Sequence, residues 1–159
     1  MVEVDEAKFG KRKYHRGRAV EGQWVFRGIC RESKECFFVP VQDRREETLI
    51  GIIKEKVEPG TIIHSDCFAS YQNLEAHNFR HLTVNHSENF VDPETGTHTN
   101  TIESTWWAVK RHLRSSHTKK DFFASHLAEY VWHRKHSGKK CKFSQFIKDI
   151  VRVYPGSDA

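Results

Sequence analysis

The spacing of hydrophobic and polar positions changes period twice along this chain. Residues 2–9, VEVDEAKF, alternate as a half-buried strand does, and residues 23–30 (QWVFRGIC) and 36–41 (CFFVPV) read as a second and third strand. The turn-like ESKE joins the last two, so the first third of the chain predicts an antiparallel meander. From Arg44 to Val57 the period becomes helical, with Leu49, Ile50, Ile53 and Val57 on one face and Pro59-Gly60 as the stop. Residues 61–67, TIIHSDC, form a short apolar strand, and strand–helix–strand order predicts a parallel crossover. A short helix over 68–75 and a fifth strand over 81–86 (HLTVNH) follow. Residues 87–99, SENFVDPETGTHT, make a long polar loop of the kind that often carries function. Three helices complete the chain, at 100–113, 120–134 and 143–153. The second has Phe123, Leu127, Tyr130 and Val131 on one stripe, and the third has Phe146, Ile147 and Ile150.

Three antiparallel strands, then parallel ones, with helices on the faces, give an α/β chain. The expected architecture is a ribonuclease H-like fold with a mixed five-stranded sheet. Residues 1–136 are expected to form that domain, and 137–159 a C-terminal basic helix and tail. A length of 159 residues suits one domain with a sizeable core. No stretch approaches the roughly 18 apolar residues of a membrane span, and there is no secretory signal at the start. A net charge of +5 leans towards a polyanionic partner without requiring one. Lys8, Lys11, Arg12, Lys13, Arg16 and Arg18 fall within residues 8–18 with no acid among them. Cys30, Cys36, Cys67 and Cys141 form no CxxC pair, so a zinc knuckle or thiol-redox site is not indicated. His77 and His81, and His133 and His136, have spacings that suit one helix face, but no third ligand accompanies either pair.

Three acids hold special places in this pattern. Asp5 lies in the first strand, Asp66 ends the fourth, and Glu103 lies in the first turn after the long loop. If strands one and four are neighbours, Asp5 and Asp66 approach each other and the helix brings Glu103 in from the side. Phosphodiester chemistry explains such a cluster: two Mg²⁺ ions about 3.5–4 Å apart can stabilise both the attacking and the leaving oxygen. Mg²⁺ prefers carboxylate, phosphate and water oxygens. Carboxylates packed together without metal would have raised pKa values. Each acid also has a structural reading. Asp66 could cap the short helix that follows. Glu103, three residues after Asn100, has capping-box spacing. Asp5, beside Glu6 near the chain start, could be a solvated charge.

The residues around these acids do more than match a spacing. VDEAKFGKRKYHRGR (4–18), EGQWVFRGICRESKECFFVPV (21–41), HSDCFASY (64–71) and VNHSENFVDPETGTHTNTIESTWWAVKR (84–111) closely resemble Merlin-type DDE transposases and their bacterial insertion-sequence relatives. The similarity runs from about Val2 to His136. It implies that Asp5, Asp66 and Glu103 are the catalytic acids, holding two Mg²⁺ ions with Mn²⁺ as substitute. The family also has a lysine seven residues after its third acid, which is Lys110 here. Seven residues are about two helical turns, so Glu103 and Lys110 share a face and Lys110 can hold a DNA phosphate.

The resemblance implies strand cleavage at transposon ends and transfer of the freed 3′-hydroxyl to target DNA, both in-line phosphoryl transfers. DNA is the partner, with a homodimer in the transposition complex. The compartment is the nucleus in a eukaryotic host or the cytoplasm in a bacterial one. Lys11, Arg12, Lys13, Arg16, His98, Asn100, Lys110, Arg111 and Arg114 are the expected DNA contacts. His86 flanks the loop beside them, and His117 extends the basic face of the helix. Trp106 and Trp107 offer one aromatic to the core and one to DNA. Met1 stands four residues before Asp5, so the N-terminal DNA-binding region usual in such transposases is expected to be absent. A transposase-derived DNA-binding protein without transposition activity, a plain ribonuclease H-like nuclease, and an interaction module with the acids as caps are the alternatives.

Overall fold

The computed structural model describes residues 1–10, 22–115 and 122–154, with side chains of residues 114–115 excepted. Strands β1 (Val2–Phe9), β2 (Gln23–Cys30) and β3 (Cys36–Val41) come first, followed by helix α1 (Glu46–Lys56) and strand β4 (Ile62–Asp66). Two 3₁₀ turns, Ala69–Tyr71 and Leu74–His77, lead to β5 (Arg80–Val84). Helices α2 (Asn100–Ser115), α3 (Phe123–Lys135) and α4 (Lys142–Val153) close the order. The strands lie in the order β3-β2-β1-β4-β5, with β1 in the middle. Its ladder to β2 is antiparallel, from Val2 opposite Cys30 to Phe9 opposite Gln23. Its ladder to β4 is parallel, pairing Val2 with Ile63 and Glu3 with His64. The mixed five-stranded sheet is the one the sequence pattern predicts.

The two-residue period of β1 divides its side chains between two cores. Val2 and Val4 pack with Phe26, Leu49, Ile53, Ile63 and Tyr71 under α1. Ala7 and Phe9 pack with Val25, Trp106, Val109, Leu113 and Leu127 under α2 and α3. Gly28 in β2 is small for a steric reason: a Cβ there would stand 2.4 Å from the Phe37 ring.

Two elements differ from expectation. The helix expected over 68–75 is two 3₁₀ turns, and Asn78 in the left-handed region (φ 65°) ends the second. His77 and His81 therefore share no helix, because His81 belongs to β5 and pairs with Ser65 Oγ at 2.8 Å. Strand β5 also stops two residues early. The Asn85 carbonyl and side chain accept hydrogen bonds from residues 87–89 and turn the chain. Helix α4 is amphipathic as read, yet Phe143, Phe146, Ile147 and Ile150 are exposed. It docks on α3 through Trp132, whose Nε1 donates to Asp149 Oδ2 at 2.8 Å.

Gly28→Ala must push the Phe37 ring aside. Overpacking of this kind costs about 1–3 kcal/mol, so the urea midpoint should fall while the m-value stays constant. An unchanged midpoint would contradict the close approach.

Candidate active site

Alternation and register together decide where the first two acids stand. Glu3 and Asp5 project to the α2 side of β1, because Val2 and Val4 take the α1 side. On β4, His64 and Asp66 share the face opposite to Ile63, which lies in the α1 core. Glu3 pairs with His64 across the parallel ladder, an offset of 61 residues. The same offset relates Asp5 to Asp66, one alternation step past the last ladder pair, which puts both on one face, and the Asp66 charge acts on Asp5. Asp66 is the last residue of β4, and Asp5 lies mid-strand in β1 just beyond the point where the parallel ladder stops.

Asp5 is held on both carboxylate oxygens. Oδ1 accepts the backbone N–H of Glu6 at 2.7 Å and Oδ2 accepts Nε1 of Trp106 at 2.5 Å. Burial pushes its pKa from 3.8 up to about 7, against the Trp106 hydrogen bond, and the charges of Glu6 and Asp66 push the same way. Asp66 Oδ1 accepts the N–H of Phe68 at 3.0 Å. That bond turns the chain just ahead of the first 3₁₀ turn, whose N-cap is Phe68 without a side-chain cap, so the capping role open to Asp66 in the sequence is not made. No basic side chain forms a salt bridge with Asp5 or Asp66 among the described residues.

Glu103 lies in the first turn of α2, one residue out of the expected capping register. Asn100 is already helical, and the carbonyl of Thr99 accepts the Glu103 N–H at 3.1 Å. The Glu103 side chain is 50% exposed. Its Oε1 accepts Thr99 Oγ1 at 3.2 Å and lies 3.5 Å from His86 Nε2. Glu103 and Trp106 are three residues apart on the helix, so the residue that bonds Asp5 and the third acid share a side of α2. Among the described residues, no three His, Cys, Asp or Glu side chains stand close enough to hold a metal ion as they are placed.

The tryptophan pair divides. Trp106 is 6% exposed and Trp107 is 67% exposed, with the Arg111 guanidinium 5.3 Å from the Trp107 ring centre. Lys110 is exposed, its Nζ 6.0 Å from the rings of both Phe9 and Trp106. Asn100 is exposed, while His98 is drawn inward and its carbonyl accepts Arg31 Nη2. Lys11, Arg12, Lys13, Arg16, His117 and the side chain of Arg114 lie outside the described residues.

Several neighbours of the site were not singled out in the sequence. Glu6 turns to the other face of β1, where Tyr71 Oη donates to it at 2.5 Å and Arg44 Nη1 at 3.2 Å. Burial raises the Glu6 pKa despite the Tyr71 bond. Glu3 and Arg27 are fully buried beneath the start of α2. The signal available for Glu3 was its two-residue spacing from Asp5, which puts both on one face.

With this geometry, residues 1–134 match the model of the ISXO2-like transposase domain. The chain belongs to the ISXO2-like transposase family. A transposase-like protein of Haemophilus influenzae, itself uncharacterised, is 34% identical over 117 residues, covering 73% of this chain and 93% of that protein. The bacterial insertion-sequence side of the resemblance is thus the one matched.

The domain's architecture also recurs in solved retroviral structures. The catalytic core domain of BIV integrase superposes with a TM-score of 0.58 at 10% identity, covering 96% of this chain and 97% of that one. The HTLV-2 integrase catalytic core domain, solved with magnesium in a dimeric form, gives 0.56 at 12% identity and covers 83% of each chain. A chain of the simian T-cell lymphotropic virus intasome, solved with a PP2A regulatory subunit, gives 0.58 at 17% identity. The match takes 83% of this chain but only 46% of that one. The transposase domain therefore has the ribonuclease H-like fold. No helix among the described residues is long and apolar enough to cross a membrane.

The raised Asp5 pKa makes the stability of the metal-free domain depend on pH. Between 3.8 and about 7 the folded state keeps a proton that the unfolded chain has lost, so stability falls as pH rises through that window. The slope contributed is at most about 1.4 kcal/mol per pH unit. Asp5→Asn should remove that contribution, and Trp106→Phe should move the Asp5 titration upward. Denaturant unfolding across pH and carboxyl NMR titration check the two; a wild-type slope in Asp5→Asn would refute the assignment.

Proposed function

We propose that this domain cleaves DNA at the ends of its own element and joins the freed 3′-hydroxyl to target DNA, with Asp5, Asp66 and Glu103 as the catalytic, metal-holding acids. The observation that carries this reading is the juxtaposition of Asp5 and Asp66 on one face of neighbouring strands, with no salt bridge to either among the described residues, in a transposase family member. The donor set fits Mg²⁺ or Mn²⁺, since all three candidates are hard carboxylate oxygens. The buried negative charge that raises the Asp5 pKa is what a divalent cation relieves. Two such ions would stabilise the entering and leaving oxygens of an in-line displacement. The HTLV-2 core solved with magnesium supports the choice of metal.

The protein's own groups supply orientation and phosphate binding. Trp106 fixes the rotation of the Asp5 carboxylate through its 2.5 Å hydrogen bond. Glu103 comes from the same side of α2. Lys110 and Arg111 continue along that helix and would hold backbone phosphates, and exposed Trp107 offers a ring for an unpaired base. We assign the same phosphate-tracking role to Lys11, Arg12, Lys13, Arg16 and Arg114, and contacts at the loop end to His98 and Asn100. The dimeric HTLV-2 core supports a homodimer in the DNA complex, and the Haemophilus relative supports a bacterial cytoplasmic setting.

The test is a nicking and strand-transfer assay on DNA bearing the element's own ends, with Mg²⁺ or Mn²⁺. Asp66→Asn should abolish both activities, and unchanged nicking in that variant would overturn the assignment. Lys110→Ala should weaken DNA binding uniformly across sequences and lower the salt slope by about 1. Trp107→Ala should cost single-stranded binding about 1–3 kcal/mol and leave that slope unchanged. Equal losses of slope in both variants would contradict the division of labour.

A further inference from the structure

We propose that Glu3 and Arg27 are positioning residues that grip two consecutive peptide groups of α2 and thereby set where Glu103 stands relative to Asp5. Glu3 Oε2 accepts the N–H of Ile102 at 2.8 Å, and Arg27 Nη1 donates to the Ile102 carbonyl at 3.0 Å. These are the peptide entering Ile102 and the peptide joining Ile102 to Glu103. Both side chains are fully buried. The inference rests on the reading of Asp5 and Glu103 as metal ligands.

The grip has a defined geometry. Asp5 receives Trp106 Nε1 and Glu3 receives the Ile102 N–H, so β1 and α2 are pinned at two points. The pins lie two residues apart on β1, about 6.7 Å at strand rise. They lie four residues apart on α2, about 6 Å at helix rise. The spacings agree, so α2 lies alongside β1 with its sliding blocked, and Glu103 falls between the pins.

Charge argues in the same direction. The Ile102 N–H is one of the first N–H groups of α2, which lack helical partners and attract negative charge. Glu3 satisfies it from within the core. Its own charge is met by Arg31 Nε at 2.5 Å. Arg31 Nη2 also reaches the His98 carbonyl, His98 Nδ1 (3.1 Å) and His64 Nδ1 (3.2 Å), tying the loop before α2 to the same carboxylate. Arg27 sits opposite Asp5 in the β1–β2 ladder, its guanidinium 4.7 Å from the Phe38 ring centre and 5.4 Å from that of Trp106. Its Nε and Nη2 have no hydrogen-bond partner among the described residues. Leaving such donors buried is costly, and an apolar residue would fill the core without that cost. What an apolar residue could not do is hold the Ile102 carbonyl and place positive charge beneath Asp5.

The experiment compares wild type, Glu3→Gln, Arg27→Met and Asp66→Asn in the full chain. It measures Mn²⁺ binding by calorimetry, amide hydrogen exchange at Ile102 and Glu103, and thermal unfolding. Glu3→Gln and Arg27→Met should lower Mn²⁺ affinity about 10–100-fold. They should speed exchange at Ile102 and Glu103 while the β1–β2 amides keep their wild-type rates. A variant that only loosened the fold would instead speed exchange throughout the sheet. Asp66→Asn separates the two levels: if it binds Mn²⁺ as wild type does, the metal-site reading fails and this inference fails with it. If Asp66→Asn loses binding while Glu3→Gln and Arg27→Met keep wild-type affinity and exchange, only the positioning role is overturned. A wild-type measurement covers variants that fail to fold. Since coupling is reciprocal, Mg²⁺ should slow exchange at Ile102 in the wild type but not in Glu103→Gln, and no slowing in the wild type would overturn the proposal.

Discussion

The rest of the structure is arranged around one constraint: the central strand of a sheet covered on both faces carries three carboxylates within four residues. Glu3, Asp5 and Glu6 all sit in β1, and burying each without compensation would cost several kcal/mol. Alternation sends Glu3 and Asp5 to one face and Glu6 to the other, and each finds partners from a different part of the chain. Arg31 and the start of α2 meet Glu3, Trp106 meets Asp5, and Tyr71 with Arg44 meets Glu6. These contacts draw α2, the segment before α1 and the first 3₁₀ turn towards one strand. The tertiary arrangement is in large part the solution to that burial problem.

The elements were readable in the sequence because their periods differ. Alternation over 2–9 and 23–30 and the i, i+4 recurrence over 44–57 leave little ambiguity, whereas the adjacency of β1 and β4 was open in the sequence and is shown by the strand order. The approach of Asp5 to Asp66 follows from the local patterns only once β1 and β4 are neighbours. The partners of the acids were not readable, because the contacts span large sequence distances: Trp106 is 101 residues from Asp5 and Arg31 is 28 from Glu3. The division between Trp106 and Trp107 follows from helical phase, since Ile102, Trp106, Val109 and Leu113 form the buried stripe of α2. The apolar stripe of α4 shows the limit of such reasoning. Periodicity tells which face of a helix is apolar, but gives no information about what covers it.

The partners also separate acids with a salt-bridged cation from acids without one, as the proposed catalytic role of Asp5 and Asp66 requires. Glu3 and Glu6 each have an arginine at salt-bridge distance, so their charge is spent within the fold. Asp5 and Asp66 have hydrogen-bond donors but no such cation among the described residues. Arg27, the charged residue across from Asp5, bonds the Ile102 carbonyl instead. A phosphate backbone brought to this face meets two carboxylates of its own sign, and Lys110 and Arg111 stand about two helical turns along α2 from Glu103. At such separations through solvent, lysine and arginine attract the strand without cancelling the repulsion at the acids themselves. Only a cation seated between carboxylate and phosphate turns that repulsion into attraction. In the proposed reading that cation is the divalent ion held by the acids, and DNA is the polyanion that shares it.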